Sequence, residues 1–412
     1  MEALARSAAA RRLGRMALWA VIAAVVAFWV SLAIFAVPSV PNRPTDFADY
    51  FGGALALASG RPADMYSWPA IQQIMQTHLD CIVPAPSSYS YPPLLVILLQ
   101  PLTGMSCGSA LIIWHAVNLL VWIASAGLLA ALLCRRWPEH RLLATALALF
   151  LSAASFHMLF GYFLGQVHLI VLCLLLLAWW LEERGRPLSA GAILVVCALI
   201  KLFPAVLIGY YVVRGRWRVA LGAVLAGIPL TVLMVIAAGP RVVLESLPYM
   251  AEHVRFLSTS PINESLSAQL PAVGPALVWV VGAATGAGIL LARGRGRTEL
   301  GYVWIIPALL LISPLVWSFY EIWSLPALVA CLGVLSPRRW WAVAGLIVLY
   351  LATALPLPLV VRPLATLALW AITGALFLHS AGVWPHLLAR RARLAAPVSQ
   401  EIGVPRPSSA VL

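Results

Sequence analysis

The sequence predicts an all-α, polytopic membrane protein. Three observations carry that prediction. Of 412 residues, 62% are hydrophobic and only 10% charged, giving a mean hydropathy of +0.95. No soluble fold buries that much apolar surface, and several runs reach the roughly 20 residues needed to cross hydrocarbon. The basic residues are bunched: 20 of the 27 Lys and Arg fall in short clusters at 6–15, 135–141, 184–186, 214–218, 293–297, 338–339 and 390–393. Such clusters mark cytoplasmic helix ends and meet anionic lipid headgroups, so the formal charge of +13 points to membrane topology rather than to nucleic acid. The short alternating segments of a β-barrel are missing from the pattern.

Placing every basic cluster inside gives a consistent path along the chain. The first apolar run, about 16–37, follows Arg6, Arg11, Arg12 and Arg15. It is too long for a signal-peptide core and reads as a retained helix running outward. The loop that follows, about 38–107, is therefore external; it contains TDFADYFGG and ends its polar part in YSYPP. LLVILLQPL, just after, is too short to span and reads as a helix on the outer surface. The run 109–134 returns to Arg135 and Arg136, and a hairpin follows at 142–160 and 166–181. The 188–213 run lies between two inside clusters, so one crossing would break the charge rule. Two short helices broken near Lys201–Pro204 satisfy it, and irregular backbone at such depth must line a cavity or be buried in protein. Later crossings are expected at 219–238, 274–292, 299–317, 322–336, 340–359 and 364–384, with a second external loop at 239–271. The expected whole is a single integral-membrane domain over 1–384, with about ten full crossings plus the broken pair. A cytoplasmic, disordered tail covers 385–412.

On this map the outer face collects the carboxylates: Asp46, Asp49, Asp64, Asp80, Glu245, Glu252, Glu264 and Glu321, against Arg43, Arg61, Arg241, Arg255 and Arg362. Asp46 and Asp49 lie three apart and share a helix face with Tyr50 nearby. Either caps the helix start or serves as a general base at the interface. Lys201 is the lone lysine of the chain, set in an apolar run. A lysine there either snorkels or contacts the phosphate of a lipid donor; the charge map puts it in the cytoplasmic half, so phosphate contact from the outer face requires a deep cavity. Further polar residues sit at outer helix mouths: His115 and Asn118, His157, Gln166 with His168, Asn263 to Ser265, and Tyr320 with Glu321. Cys81 and Cys107 both map outside and bracket YSYPP, leaving a disulfide or two free thiols as alternatives. No metal-ligand spacing, P-loop, dinucleotide fingerprint or nucleophile elbow occurs in the sequence.

Taken in order, these residues resemble glycosyltransferase family 87, within the GT-C class of integral-membrane glycosyltransferases. The resemblance rests on Asp46–Tyr50, on Gly60 to Tyr66, on Tyr91–Pro93, on Gly165–Gln166, on Lys201–Pro204, on Asn263–Ser265 and on Ser313–Trp317. It implies a GT-C fold and transfer of a sugar, usually mannose, from a polyprenyl-phosphate donor to a hydroxyl of a lipid-linked or glycan acceptor, with inversion. Asp46 is then the base, with Asp49 as second candidate. Lys201, His157, Tyr320, Gln166 and His168 are donor or phosphate contacts. Tyr50, Tyr66, Tyr91, Asn263, Glu321 and His115 are substrate contacts, and Trp68 is a further ring for sugar stacking. No cofactor or metal is implied, because the donor carries a single phosphate. The implied location is a bacterial inner membrane, with the site facing the periplasm and membrane lipids as partners. Two departures stand out. Many relatives carry Asn at the position of His168, and His after the tryptophan of the SP-x-x-W element, where this chain has Phe319, Tyr320 and Glu321. Tyr320 or Glu321 then replaces that His, or the donor differs. The reading from another class is a transporter or lipid flippase, which would show pseudo-symmetric halves.

Overall fold

Charge sorts the helices between two poles. The computed structural model describes residues 45–76, 81–82, 88–292, 295–335, 337, 339–354, 358 and 360–383, with isolated positions between 12 and 27. The expected first crossing, Arg43, Asp80 and the tail from Pro385 lie largely or wholly outside the described residues, as does the side chain of His157. Among the described residues the chain is all-helical, without a β-strand.

At one pole, Arg136 pairs with Glu183 and lies 4.0 Å from Glu299. Arg216 lies 3.9 Å from Glu182, and Arg297 bonds Glu299 at 2.6 Å. Arg214 donates to the carbonyls of Ala292 and Gly296 at 2.6 and 3.0 Å. The basic clusters at 135–141, 214–218 and 293–297 therefore meet on one side. The helix His168–Glu183 has 16 residues, about 24 Å at 1.5 Å per residue, and it ends at this pole. Its first turn lies at the opposite pole, where the carboxylates of the first loop gather.

Among the described residues, four helices are long and apolar enough to cross a bilayer: Cys107–Arg136, Trp217–Ala238, Gly274–Leu291 and Val361–Ser380. Shorter apolar helices, Pro187–Ile200, Thr298–Ile312 and Trp340–Thr353 among them, complete the layers. Thr298–Ile312 is shorter than the crossing expected at 299–317 because its backbone leaves the helix at the carboxylate pole. Thr298–Ile312 gives way to extended residues from Ser313, and a 3-10 turn, Ser318–Ser324, precedes the helix Leu325–Val334.

The expected break at Lys201 is present. Pro187–Ile200 stops at Lys201, whose backbone is extended (φ −148°, ψ 122°), and Ala205–Val213 returns the chain to Arg214. Close packing fixes the first of the two helices: a Cβ on Gly191 would come within 1.9 Å of the Val219 carbonyl oxygen. One expectation is corrected. The charge map put Lys201 in the cytoplasmic half, but 14 helical residues lift it about 21 Å from the basic pole, and it ends against the loop that carries Tyr91.

The two loops also have structure of their own. LLVILLQPL forms the helix Leu94–Leu98 and the 3-10 turn Gln100–Leu102. Cys81 and Cys107 are disulfide-bonded, with Cα atoms 5.8 Å apart, which ties the loop to the start of the long helix. The second loop carries an 18-residue helix, Pro240–Leu257, with Leu244 and Leu247 exposed.

Candidate active site

The helix Asp46–Ala58 brings the first loop into the protein. Thr45 stands at its N-cap position in extended conformation, yet its side chain makes no capping bond. The helix start is held instead by backbone: Thr45 N–H donates to Ile82 O at 3.2 Å and Phe47 N–H to Leu164 O at 3.1 Å. The turn it meets needs a glycine. Gly165 has φ +68°, and a Cβ there would lie 2.7 Å from Phe47 Cβ, a conformation and an approach that only glycine tolerates. Trp114 Nε1 seals the turn by donating to Gly165 O at 2.6 Å.

Gln166, the next residue, links two groups of the first loop. Its Nε2 donates to Asp46 Oδ2, and its Oε1 accepts from the Tyr50 hydroxyl at 2.8 Å. The Asp46 carboxylate is thus turned onto Gln166 and away from its own helix end. Burial pushes the Asp46 carboxyl up to about 6, against the opposing pull of the Gln166 bond and of the Lys201 charge. A carboxylate poised there is ionised at neutral pH and still basic enough to take a proton.

Lys201 reaches the same place from below. Its Nζ donates to the Tyr320 hydroxyl at 2.6 Å and to the Tyr91 hydroxyl at 3.5 Å. It also lies over the rings of Tyr320, Tyr91 and Trp323, at 3.9, 5.0 and 5.3 Å from their centroids. A buried ammonium needs such partners, and aromatic faces supply part of what water would. Trp323 stacks on Tyr320 with centroids 4.5 Å apart, and Tyr91 meets Tyr50 edge-on at 5.6 Å. One contiguous cluster therefore holds Asp46, Tyr50, Tyr91, Gln166, Lys201 and Tyr320, drawn from five separated stretches of chain.

The motif after it is a clamp. Asn263 Oδ1 accepts from Val316 N–H and Ser265 N–H, both at 3.0 Å, and its Nδ2 donates to the carbonyls of Pro314 and Ser258, both at 2.9 Å. All four hydrogen-bonding positions of the amide are used, so Asn263 fastens the second external loop to the segment that carries Tyr320.

The remaining candidates divide. Asp49 is buried one helical turn from Asp46, in electrostatic range of the Tyr91 and Tyr249 hydroxyls. Tyr66 is half-buried and donates to Tyr91 O at 3.0 Å. Glu321 faces away from Lys201, accepting from Thr366 Oγ1 at 2.8 Å, close to the buried Glu264–Arg362 pair. His168 is fully buried, its Nε2 3.2 Å from Met158 O. His115 is buried against Tyr162, with ring centroids 4.8 Å apart. His168 lies in electrostatic range of Lys201. Trp323 and Tyr89 join the cluster without having been singled out in the sequence; among so many aromatic residues, spacing alone does not distinguish them.

The sequence model of glycosyltransferase family 87 matches residues 89–318, more than half of the chain. The chain belongs to glycosyltransferase family 87. The matched span holds Tyr91, Gln166, Lys201 and Asn263, while Tyr320 lies just past its end and Asp46 well before its start. Two curated relatives extend the similarity. A polyprenol-phosphate-mannose-dependent alpha-(1-2)-phosphatidylinositol mannoside mannosyltransferase of Mycobacterium tuberculosis is 26% identical over 354 residues, covering 80% of this chain and 79% of its own. A polyprenol-phosphate-mannose-dependent alpha-(1-2)-phosphatidylinositol pentamannoside mannosyltransferase of Mycolicibacterium smegmatis is 26% identical over 328 residues, covering 74% of each chain. No solved structure matches the chain. This family 87 protein is a membrane glycosyltransferase, and the transporter reading is not favoured.

Proposed function

We propose that this glycosyltransferase moves a mannosyl group from a polyprenyl-phosphate donor to a hydroxyl of a lipid-linked or glycan acceptor, with inversion. The reaction takes place on the external face of a bacterial inner membrane, in a GT-C fold of about ten crossings plus the broken pair at Lys201. The observation that carries the reading is the convergence of a carboxylate poised near neutrality, Asp46, with the chain's lone lysine at the tip of a broken helix pair.

In this scheme Asp46, kept ionised by its bond from Gln166, takes the proton of the acceptor hydroxyl. The acceptor oxygen bonds to the anomeric carbon as the bond from that carbon to the phosphate oxygen breaks. The polyprenyl phosphate leaves with the electron pair, its charge met by Lys201 Nζ and the Tyr320 hydroxyl, both fixed before the donor arrives. Tyr320 thereby stands in for the histidine of many relatives. The donor carries one phosphate, so the scheme needs neither metal nor cofactor. Tyr50 and Tyr91 flank the sugar. Asn263 acts through position, by holding the Tyr320 segment, and Glu321 with Thr366 anchors the same turn from behind. His168 and His115 support the packing. The names of the two relatives supply the donor and the mannosyl group.

The test is transfer from radiolabelled polyprenyl-phosphate-mannose in membranes holding wild type or Asp46→Asn at equal protein level. Loss of at least 100-fold is expected, in the range of general base catalysis. Transfer that survives the substitution removes Asp46 from the role.

A further inference from the structure

Outside the buried cluster, the rim of the site carries three half-buried rings that the chemistry above leaves unused: Tyr66, Tyr249 and His253. Tyr249 and His253 are four apart on the helix Pro240–Leu257 and so share a face; their rings stack at 6.0 Å with planes 26° apart. Tyr66, from the first loop, packs on Tyr249 at 4.8 Å. The ridge is thus built by two external loops jointly. It is also continuous with the site. Tyr66 bonds the Tyr91 carbonyl, and Asp49 lies in electrostatic range of both the Tyr91 and Tyr249 hydroxyls.

We infer that this ridge is a subsite for the second sugar ring of the acceptor, counted from the hydroxyl that is glycosylated. The inference rests on the proposed function and extends it. In that scheme the donor phosphate occupies the Lys201 side, so an acceptor whose hydroxyl meets Asp46 must extend away from Lys201. The two carboxylates mark that direction: Asp46 lies in electrostatic range of Lys201, while Asp49, one turn further along the helix Asp46–Ala58, lies in range of Tyr249 on the ridge. A pyranose suits such a surface. Its C–H face packs on aromatic rings, and its equatorial hydroxyls need edge groups. Here those are the His253 ring and the Ser88 and Tyr249 hydroxyls, the last two bonded to each other. An acyl chain would strip water from these groups and offer no hydrogen bond in return, a cost that disfavours it. Lipid instead suits the opposite side of the same helix, where Leu244 and Leu247 are exposed.

The experiment uses purified wild-type protein in detergent, radiolabelled polyprenyl-phosphate-mannose, and two acceptors, octyl mannoside and octyl dimannoside. Wild type is expected to show a KM about tenfold lower for the dimannoside, the order expected of one aromatic stacking contact. Tyr249→Ala should raise the dimannoside KM to that of the monomannoside, leaving kcat and the monomannoside KM unchanged. Tyr249→Phe, which keeps the ring and loses the hydroxyl, should keep a dimannoside preference between those of wild type and Tyr249→Ala. The subsite is overturned if wild type shows no preference between the acceptors, if the preference survives Tyr249→Ala, or if monomannoside kinetics fall equally. Wild type that transfers to neither acceptor overturns the proposed function itself, and the subsite falls with it.

Discussion

Replacing Gln166 by leucine separates the protonation of the base from its presence. Gln166 Nε2 donates to Asp46 Oδ2, and this bond works against the burial that raises the carboxyl to about 6. A hydrogen bond to a charged group contributes about 1.5–3 kcal/mol, and one pKa unit corresponds to about 1.36 kcal/mol. Losing the bond therefore moves the carboxyl alkaline by about one to two pH units. The sign follows from the role. The base must be ionised to accept a proton, so kcat/KM is full well above the limb and falls about tenfold per pH unit below it. Wild type should show an acid limb near pH 6. Gln166→Leu should move that limb upward by about one to two pH units while approaching the wild-type plateau at high pH. The assay is a pH profile of mannosyl transfer at subsaturating acceptor, with protein level fixed by immunoblot. A limb that stays in place while the rate drops equally at every pH would refute the reasoning, because Gln166 would then be holding shape and not protonation state.

Two further outcomes follow from the same geometry. Lys201→Met keeps an unbranched side chain one atom shorter and removes the charge; donor KM should rise about 10- to 100-fold, the loss expected for one charge-assisted contact, with no drop in melting temperature in detergent. Unchanged donor KM would show that the phosphate is bound elsewhere. Replacing Cys81 and Cys107 together by serine opens a link spanning 26 residues. The chain-entropy relation gives a loss of about 3.5 kcal/mol, which thermal unfolding should detect as a lowered midpoint. An unaltered midpoint would mean that the loop is held by its packing alone.

The sequence by itself determined the class of protein, the place of many helices and which polar groups stand in apolar surroundings. Hydropathy and the basic clusters depend on composition along the chain, and a bilayer reads them locally, so helices such as Cys107–Arg136 and Trp217–Ala238 appear close to where the pattern put them. The break at Lys201 was legible for the same reason, since two inside clusters cannot flank a single crossing. Asp46, Gln166, Lys201 and Tyr320 were legible as polar residues in apolar surroundings, where each demands a partner. Which partner each takes was decided by tertiary structure. Lys201 was expected in the cytoplasmic half because charge counting fixes the side on which a helix begins, while the height of its tip depends on how far it climbs before breaking. Asn263 looked like a substrate contact until its four hydrogen bonds were seen to close on backbone. Glu321 looked equivalent to Tyr320, yet adjacent residues of a tight turn point apart, one to Lys201 and the other to Thr366. A linear pattern records which groups are costly to bury; only the packed chain records which groups repay that cost.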